Sequence, residues 1–119
     1  MSDFFRNFAT KLDNMSRNEF LHNLQQLGRD ILPANGQLWL YGSRSRHEEH
    51  EGSDWDLLVL LDKPKQEFSD FDKYSYPFIE YGASQGEPVS AHIYTKSEWD
   101  AMSFTPFHHN VEHDRQVLI

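Results

Sequence analysis

Two aspartates separated by one residue stand at the head of an apolar run, and they are the clearest candidates for chemistry. Asp54 and Asp56 flank Trp55, and residues 57–61 are all apolar. Such a run is typical of a strand buried on both faces. Because side chains at i and i+2 of a strand point the same way, roughly 6 to 7 Å apart, we expect the two carboxylates to project together. Two carboxylates on one side can hold a divalent cation such as Mg²⁺.

A glycine-serine pair ends the preceding apolar segment, residues 38–41, eleven residues before the first aspartate. Gly42 allows a sharp turn and a close approach of the backbone to a ligand. Residues 43–46 are predicted to open a helix, whose first N-H groups have no intrahelical partner and attract an anion. A phosphate group fits that description. The elements that must position this chemistry are therefore a strand, a turn with a helix start, a polar loop and a second strand.

These residues together resemble the signature of the DNA polymerase beta-like nucleotidyltransferase superfamily, in particular its minimal nucleotidyltransferase domains. The matching pattern is Gly42-Ser43, then Ser53-Asp54-x-Asp56 leading into a hydrophobic strand, and it spans about a fifth of the chain. The resemblance implies an α/β (α+β) fold, with a small mixed β-sheet and helices packed mainly on one face. It also implies that Asp54 and Asp56 bind Mg²⁺ and act in catalysis. The same resemblance assigns nucleotide phosphates to Gly42, Ser43 and Ser53, with Arg44 or Arg46 as a charge clamp.

The chain departs from the pattern of that superfamily at two places. The resemblance implies a third metal-binding carboxylate on a later strand, yet the predicted strand 89–95 has no acid. Ser90 or His92 takes that place, and His92, which can bind a metal or shuttle a proton, is the third catalytic candidate. Glu87, just before the strand, is a weaker substitute. The resemblance also implies a glycine after Arg46, where this chain has His47.

Simpler interpretations exist for each of these residues. The two aspartates could merely cap the mouth of a buried strand, with an arginine such as Arg44 compensating their charge. The polar loop 47–52 has histidines and glutamates without the register of a zinc site, and a solvated loop is the alternative. His109 and His113 lie four residues apart, which suits either a metal on one helical turn or an exposed helix face.

The remaining elements are predicted from the spacing of apolar residues and from capping residues and prolines. Helices are predicted over residues 4–15 and from a capping box at 16–19 to Pro33, and strands over 37–41 and 89–95. The segment 67–82 predicts a helix broken at Pro77, whose aromatic residues form core or stack a base. A helix capped by Thr95 or Ser97 follows, and residues 107–119 predict a last helix packed on the sheet. The stripe of Phe4, Phe5 and Phe8 is assigned to the core, with a homodimer contact as the alternative.

Composition limits the partners. The 119 residues, with 38% hydrophobic side chains, predict one domain, 1–119. The net charge of -8 argues against nucleic acid or an anionic membrane as a partner. The chain has no cysteine and no signal peptide, and a cytoplasmic location is expected.

Two functions of different classes follow from the resemblance. The first is a Mg²⁺-dependent enzyme that transfers a nucleoside monophosphate from a nucleoside triphosphate, taken as ATP, to a hydroxyl of a protein or small molecule. The second is a weakly active or inactive nucleotide-binding antitoxin that neutralises an all-helical ribonuclease toxin by binding it. Nucleotidylation of an antibiotic is weaker, because no further domain is predicted to hold the acceptor.

Overall fold

The computed structural model of the chain describes residues 3–48 and 53–119, with side chains from residue 17 onward. The elements, in chain order, are helix α1 (Asp3–Ile31), strands β1 (Gln37–Tyr41) and β2 (Trp55–Leu61), a π-helical turn (Phe71–Ser75), helix α2 (Tyr76–Ser84), strand β3 (Val89–Thr95), helices α3 (Lys96–Ala101) and α4 (Pro106–Asp114), and strand β4 (Gln116–Val117). The three strands predicted from the sequence are all confirmed.

The four strands form one mixed sheet in the order β3-β2-β1-β4. β1 runs antiparallel to both β2 and β4, while β2 and β3 are parallel and are connected through α2. The predicted mixed sheet is therefore confirmed. The central β2 is paired on both sides and is almost wholly buried, which explains its unbroken apolar sequence.

The two faces of the sheet are covered by different helices. Alternate residues of β1 and β2, among them Leu40, Leu57 and Val59, join residues of α1 and α2 in the larger core. The opposite face packs Leu58 and Leu60 against Trp99 of α3 and Val111 and Phe107 of α4. α1 and α2 thus share one face, and α3 and α4 cover part of the other. Asp56, between Trp55 and Leu57, belongs to the face of α3 and α4.

The N-terminal part of the chain is one helix where two were predicted. α1 runs through the capping box at residues 16–19 without interruption and ends at Ile31, before Pro33 as predicted. Serine and asparagine inside a helix cost less than about 1 kcal/mol each, and no proline or glycine occurs between residues 3 and 27 to stop it. The predicted core or dimer roles of Phe4, Phe5 and Phe8 lie outside the described side chains. No helix among the described residues is long and apolar enough to cross a membrane.

The C-terminal prediction of a helix over 107–119 is wrong in its second half. α4 ends at Asp114, and β4 then pairs with β1, with Val117 opposite Trp39. This pairing covers the edge of β1, whose backbone groups would otherwise lack partners, and it brings Leu118 into the larger core. A helix would have left that edge open.

The break predicted at Pro77 is confirmed, because the π-helical turn ends at Ser75 and Pro77 lies in the first turn of α2. Phe78 is fully buried, as predicted for a core residue. Phe68 and Phe71 are exposed, so their assignment to the core is wrong. Thr95 caps α3 with a complete capping box, in which Glu98 is the reciprocal partner.

A buried ion pair ties the end of β2 to the π-helical turn. Asp70 is 1% exposed, and its carboxylate accepts hydrogen bonds from Nζ of Lys63 and from the N-H of Glu67. Burial alone would raise the pKa of Asp70, but the bonds from Lys63 and Glu67 outweigh it and hold the pKa below its usual value. The pair therefore favours the ionised carboxylate in the folded chain.

We expect Asp70→Asn to lower the free energy of unfolding at pH 7 by about 1 to 3 kcal/mol, because Lys63 loses its charged partner. A depressed folded pKa gives stability that is present above the unfolded pKa and lost as the pH falls through the folded pKa. The difference between wild type and variant should therefore shrink below pH 4. Urea unfolding at several pH values measures it, and Asp72→Asn, at an exposed acid two residues away, is the control. A constant difference down to pH 2 would contradict this account.

Candidate functional site

Trp55 fixes the orientation of the strand that carries the aspartates. Its ring is 1% exposed and packs on Phe20 at 5.0 Å between centroids. Guanidinium groups of Arg17 and Arg44 lie 5.0 and 4.5 Å from the ring centroid, and the indole N-H donates to Glu87 at 3.0 Å. Because the side chains of a strand alternate, burial of Trp55 in the larger core turns Asp56 to the other face.

Gly42 lies directly against the carboxylate of Asp56. Tyr41, the last residue of β1, is paired with Asp56 in the sheet, so the next residue passes beside that side chain. Gly42 has φ +75°, and a methyl group on it would overlap Oδ2 of Asp56 and come within 3.3 Å of Cγ. A side chain is excluded both by this space and by the left-handed backbone. The structure therefore brings together the two halves of the sequence motif.

Residues 43–47 form a turn, and the prediction of a helix start there is wrong. The N-H groups of Ser45 and Arg46 both bond to the carbonyl of Gly42, at 3.1 and 3.3 Å, as in a first helical turn. His47 then adopts φ +58°, which ends any helical continuation. Position 47 is where the resemblance implied a glycine, and the left-handed backbone is the physical reason for one. A histidine there is strained but tolerated.

The turn leaves several donors available. Within the described part of the chain, the N-H groups of Ser43 and Arg44 and the hydroxyl of Ser43 make no hydrogen bond. They follow directly after Gly42, which lies against the Asp56 carboxylate. Successive backbone N-H groups of this kind can hold the oxygens of an anion.

The Asp56 carboxylate is half-buried and has a neighbour on each side in the sheet. Ser90 of β3 is in register with it and donates its hydroxyl to Oδ1 at 2.9 Å. Tyr41 is its partner on β1. Burial, the charge of Asp56 and the nearby Tyr94 raise the pKa of Tyr41 well above its usual value, so the phenol stays protonated.

Asp54 lies one residue before β2 and is exposed. Its carboxylate makes no hydrogen bond within the described residues, while that of Asp56 accepts one from Ser90. Carboxylate oxygens are the donors that Mg²⁺ prefers, so these two aspartates suit such a cation. In residues 3–48 and 53–119 no group of three histidines or acids converges on one point. At most two such side chains of these residues can therefore meet at one ion.

The two arginines of the motif are bound to groups of the protein. Arg44 donates to the carbonyl of Ser53 at 3.2 and 2.8 Å and lies 3.7 Å from Glu87, so it closes the loop between β1 and β2. Arg46 pairs with Asp114 of α4 and, at 3.1 Å, with Glu48. The hydrogen bonds that Arg46 donates to Glu48 and Asp114 raise the pKa of its guanidinium group. Both positive charges are thus compensated by acids other than Asp54 and Asp56.

His92 is placed apart from the aspartates. It is paired with Leu58, two residues beyond the pairing of Asp56 with Ser90, and its exposed ring packs on Phe107 at 5.9 Å. Glu87, the weaker substitute, is bound to Trp55 and Arg44 on the other face. Residues 49–52 of the polar loop lie outside the described residues. His109 and His113 are exposed on α4.

Two residues that contribute to the site were not predicted. Tyr41 borders Asp56, and Arg17 of α1 donates to the carbonyl of Arg44 at 2.9 Å, which supports the turn. The position of Tyr41, immediately before Gly42, could have revealed it once the antiparallel register was known. Nothing in the sequence around Arg17 indicates its long-range contact. A separate groove between α1 and α2, lined by Leu27, Tyr76 and Tyr81 among others, contains none of the predicted site residues.

We expect Gly42→Ala to lower the free energy of unfolding by more than about 1 kcal/mol, because the new methyl group meets the Asp56 carboxylate. Gly86→Ala is the matched control: Gly86 also has positive φ, +70°, but open space surrounds it. Chemical unfolding of both variants measures the difference. The difference between the two variants reports the clash with Asp56 alone, because both alanines have the same unfavourable positive φ.

A double-mutant cycle identifies the atoms responsible. Removing the carboxylate in Asp56→Ala should recover most of the excess cost of Gly42→Ala, because the nearest obstacle is gone. Equal losses for Gly42→Ala and Gly86→Ala, or no recovery in the double variant, would contradict the close approach.

Comparisons with known proteins agree with this fold. No curated protein matches the chain significantly. The fold is similar to the crystal structure of a toxin-antitoxin with AMP-PNP, with a TM-score of 0.57 and 17% identity over 83% of this chain and 72% of that one. It is also similar to a mutant of the toxin-antitoxin MntA-HpeT in which two aspartates are replaced by glutamates, with a TM-score of 0.55 and 15% identity over 83% and 71%. The family model for the nucleotidyltransferase domain matches residues 18–117, and the chain therefore belongs to the nucleotidyltransferase domain family.

Proposed function

We propose that the chain binds a nucleoside triphosphate, with ATP as the nucleotide, together with Mg²⁺, and transfers the nucleoside monophosphate to a hydroxyl group of a protein or small molecule. The observation that carries the proposal is the contact of Gly42 with the Asp56 carboxylate, which sets a turn with available N-H groups beside a cation-binding acid. The membership of the nucleotidyltransferase domain family supports the same reaction class.

The turn is assigned to the phosphates. The N-H groups of Ser43 and Arg44 and the Ser43 hydroxyl are donors without partners in the described residues, so they can bond to phosphate oxygens at little cost. Arg44 and Arg46 hold their own carboxylate partners, and the proposal therefore does not depend on them as a clamp. Ser53 places its carbonyl on Arg44 and so fixes the residue before Asp54.

Asp54 and Asp56 are assigned to the cation. Bound there, Mg²⁺ would neutralise charge on the triphosphate oxygens. Asp56 is prepared for this by Ser90 and Gly42, which together restrict its carboxylate. Asp54 is exposed, so its carboxylate is accessible to a cation. His92, which packs on Phe107, remains a proposed proton acceptor for the attacking hydroxyl only after its ring rotates away.

Binding is tested with α,β-methylene ATP, which cannot be cleaved at the reacting bond, in a calorimetric titration with and without Mg²⁺. We expect saturable, Mg²⁺-dependent binding that weakens at least tenfold in Asp56→Asn and Asp54→Asn, because each change removes an anionic ligand. Asp62→Asn, at an exposed acid beyond the other end of β2, is the charge-matched control and should bind as wild type. Equal affinity in all four proteins would overturn the proposal.

A second candidate is an antitoxin that acts by binding an all-helical ribonuclease toxin. The observation that favours it is that the two similar structures come from toxin-antitoxin proteins, one of them with AMP-PNP and one with two aspartates replaced. The replaced residues of that protein are of the same type as Asp54 and Asp56 and have the same spacing. A missing third acid among the described residues also suits a binder.

Co-expression separates the two candidates. Each all-helical protein encoded beside this chain is expressed with wild type or with the Asp54→Asn/Asp56→Asn double variant. Transfer predicts that rescue of growth is lost with the double variant and that the partner gains the mass of one nucleoside monophosphate with wild type only. Binding alone predicts equal rescue and no change in the partner's mass. Absence of rescue by either form would contradict the second candidate.

A further inference from the structure

The two oxygens of the Asp56 carboxylate have different surroundings. Oδ1 accepts the hydroxyl of Ser90 at 2.9 Å, and Oδ2 faces the Cα of Gly42. Ser90 and Asp56 are directly paired across two parallel strands, so this hydrogen bond is set by the register of the sheet. A side chain at position 90 therefore reaches the same space as Asp56.

Few charged side chains of the described residues lie around the Asp56 carboxylate. Within the described residues, no third acid or histidine joins Asp54 and Asp56, and His92 is held against Phe107 further along β3. A serine hydroxyl is neutral and already donates its proton to Asp56. Two carboxylates balance the charge of one divalent cation. Among residues 3–48 and 53–119, no further acid joins the pair to offset the charge of a second divalent cation.

The number of cations matters for phosphoryl chemistry in general. Two-metal sites hold their ions about 3.5 to 4 Å apart and activate the attacking and leaving oxygens separately, which requires a carboxylate that reaches the second ion. A one-ion site places the nucleotide but leaves the attacking hydroxyl without such activation.

We infer that this site, on the function proposed above, holds one divalent cation per bound nucleotide, and that Ser90 occupies the position from which a carboxylate would bind a second. Ser90 is then a positioning residue for Asp56 and the determinant of the number of cations. The consequence is that the site holds the nucleotide but transfers it slowly. A carboxylate at position 90 would face Asp56, and the two acids would repel each other unless a cation lay between them.

The experiment counts ions directly. Equilibrium dialysis with Mn²⁺ and α,β-methylene ATP gives the number of Mn²⁺ ions per bound nucleotide for wild type, Ser90→Asp and Ser90→Asn. We expect one ion for wild type, two for Ser90→Asp and one for Ser90→Asn, because asparagine has the size of aspartate without its charge. Thermal unfolding of the same proteins supplies a second readout: Ser90→Asp should be less stable than Ser90→Asn without metal and should gain more stability from Mn²⁺.

Each outcome either supports or overturns the inference. Two ions per nucleotide in wild type would overturn the inference and leave the proposed function standing. One ion in both wild type and folded Ser90→Asp, with no extra stabilisation by Mn²⁺, would also overturn it. No Mn²⁺-dependent nucleotide binding by wild type would overturn the proposed function and the inference with it. One ion in wild type and two in Ser90→Asp would support both.

Discussion

The contact between the backbone of Gly42 and the carboxylate of Asp56 is the constraint on which the candidate site depends. The antiparallel register of β1 and β2 places Tyr41 opposite Asp56, so the chain must leave β1 beside that side chain. Only a residue without Cβ can do so at φ +75°. The turn that follows then starts next to Asp56, and on the proposed function its N-H groups and the acid bind parts of one ligand.

The two faces of β2 have different roles: one packs in the larger core, and the other carries Asp56. Trp55 anchors one face through Phe20, two guanidinium groups and the carboxylate of Glu87. Arg44, bound to the carbonyl of Ser53, links the turn to the head of the same strand. These contacts fix both ends of the loop between β1 and β2, although residues 49–52 between them are outside the described part. Asp56 on the other face is held by the same anchored strand, while its carboxylate stays out of those ion pairs.

Patterns with a strong physical cause were predictable from the sequence, and contacts set by tertiary register were not. The apolar run after Asp56, the alternation in β3 and the stop at Pro33 each follow from local periodicity or a missing N-H, and the structure confirms the elements. The prediction of a helix start at Ser43 failed because His47 adopts a left-handed backbone, which only a minority of histidines do. The prediction of a helix through residue 119 failed because pairing with the open edge of β1 outweighed the helix-like spacing of the apolar residues. Likewise, the hydrogen bond of Ser90 to Asp56 depends on a parallel register that a single sequence does not specify.

On the proposed function, the charge balance of the site requires that nucleotide and cation bind together. The chain has a net charge of -8, and Arg44 and Arg46 are each compensated by other acids. Asp54 and Asp56 thus leave the mouth of the site negative, and a free triphosphate would meet repulsion there. A divalent cation on the two aspartates neutralises their charge, and the neutral donors of the turn then need only orient the phosphates. On the proposed function, selectivity for the metal complex of the nucleotide therefore follows from which side chains are paired and which are not.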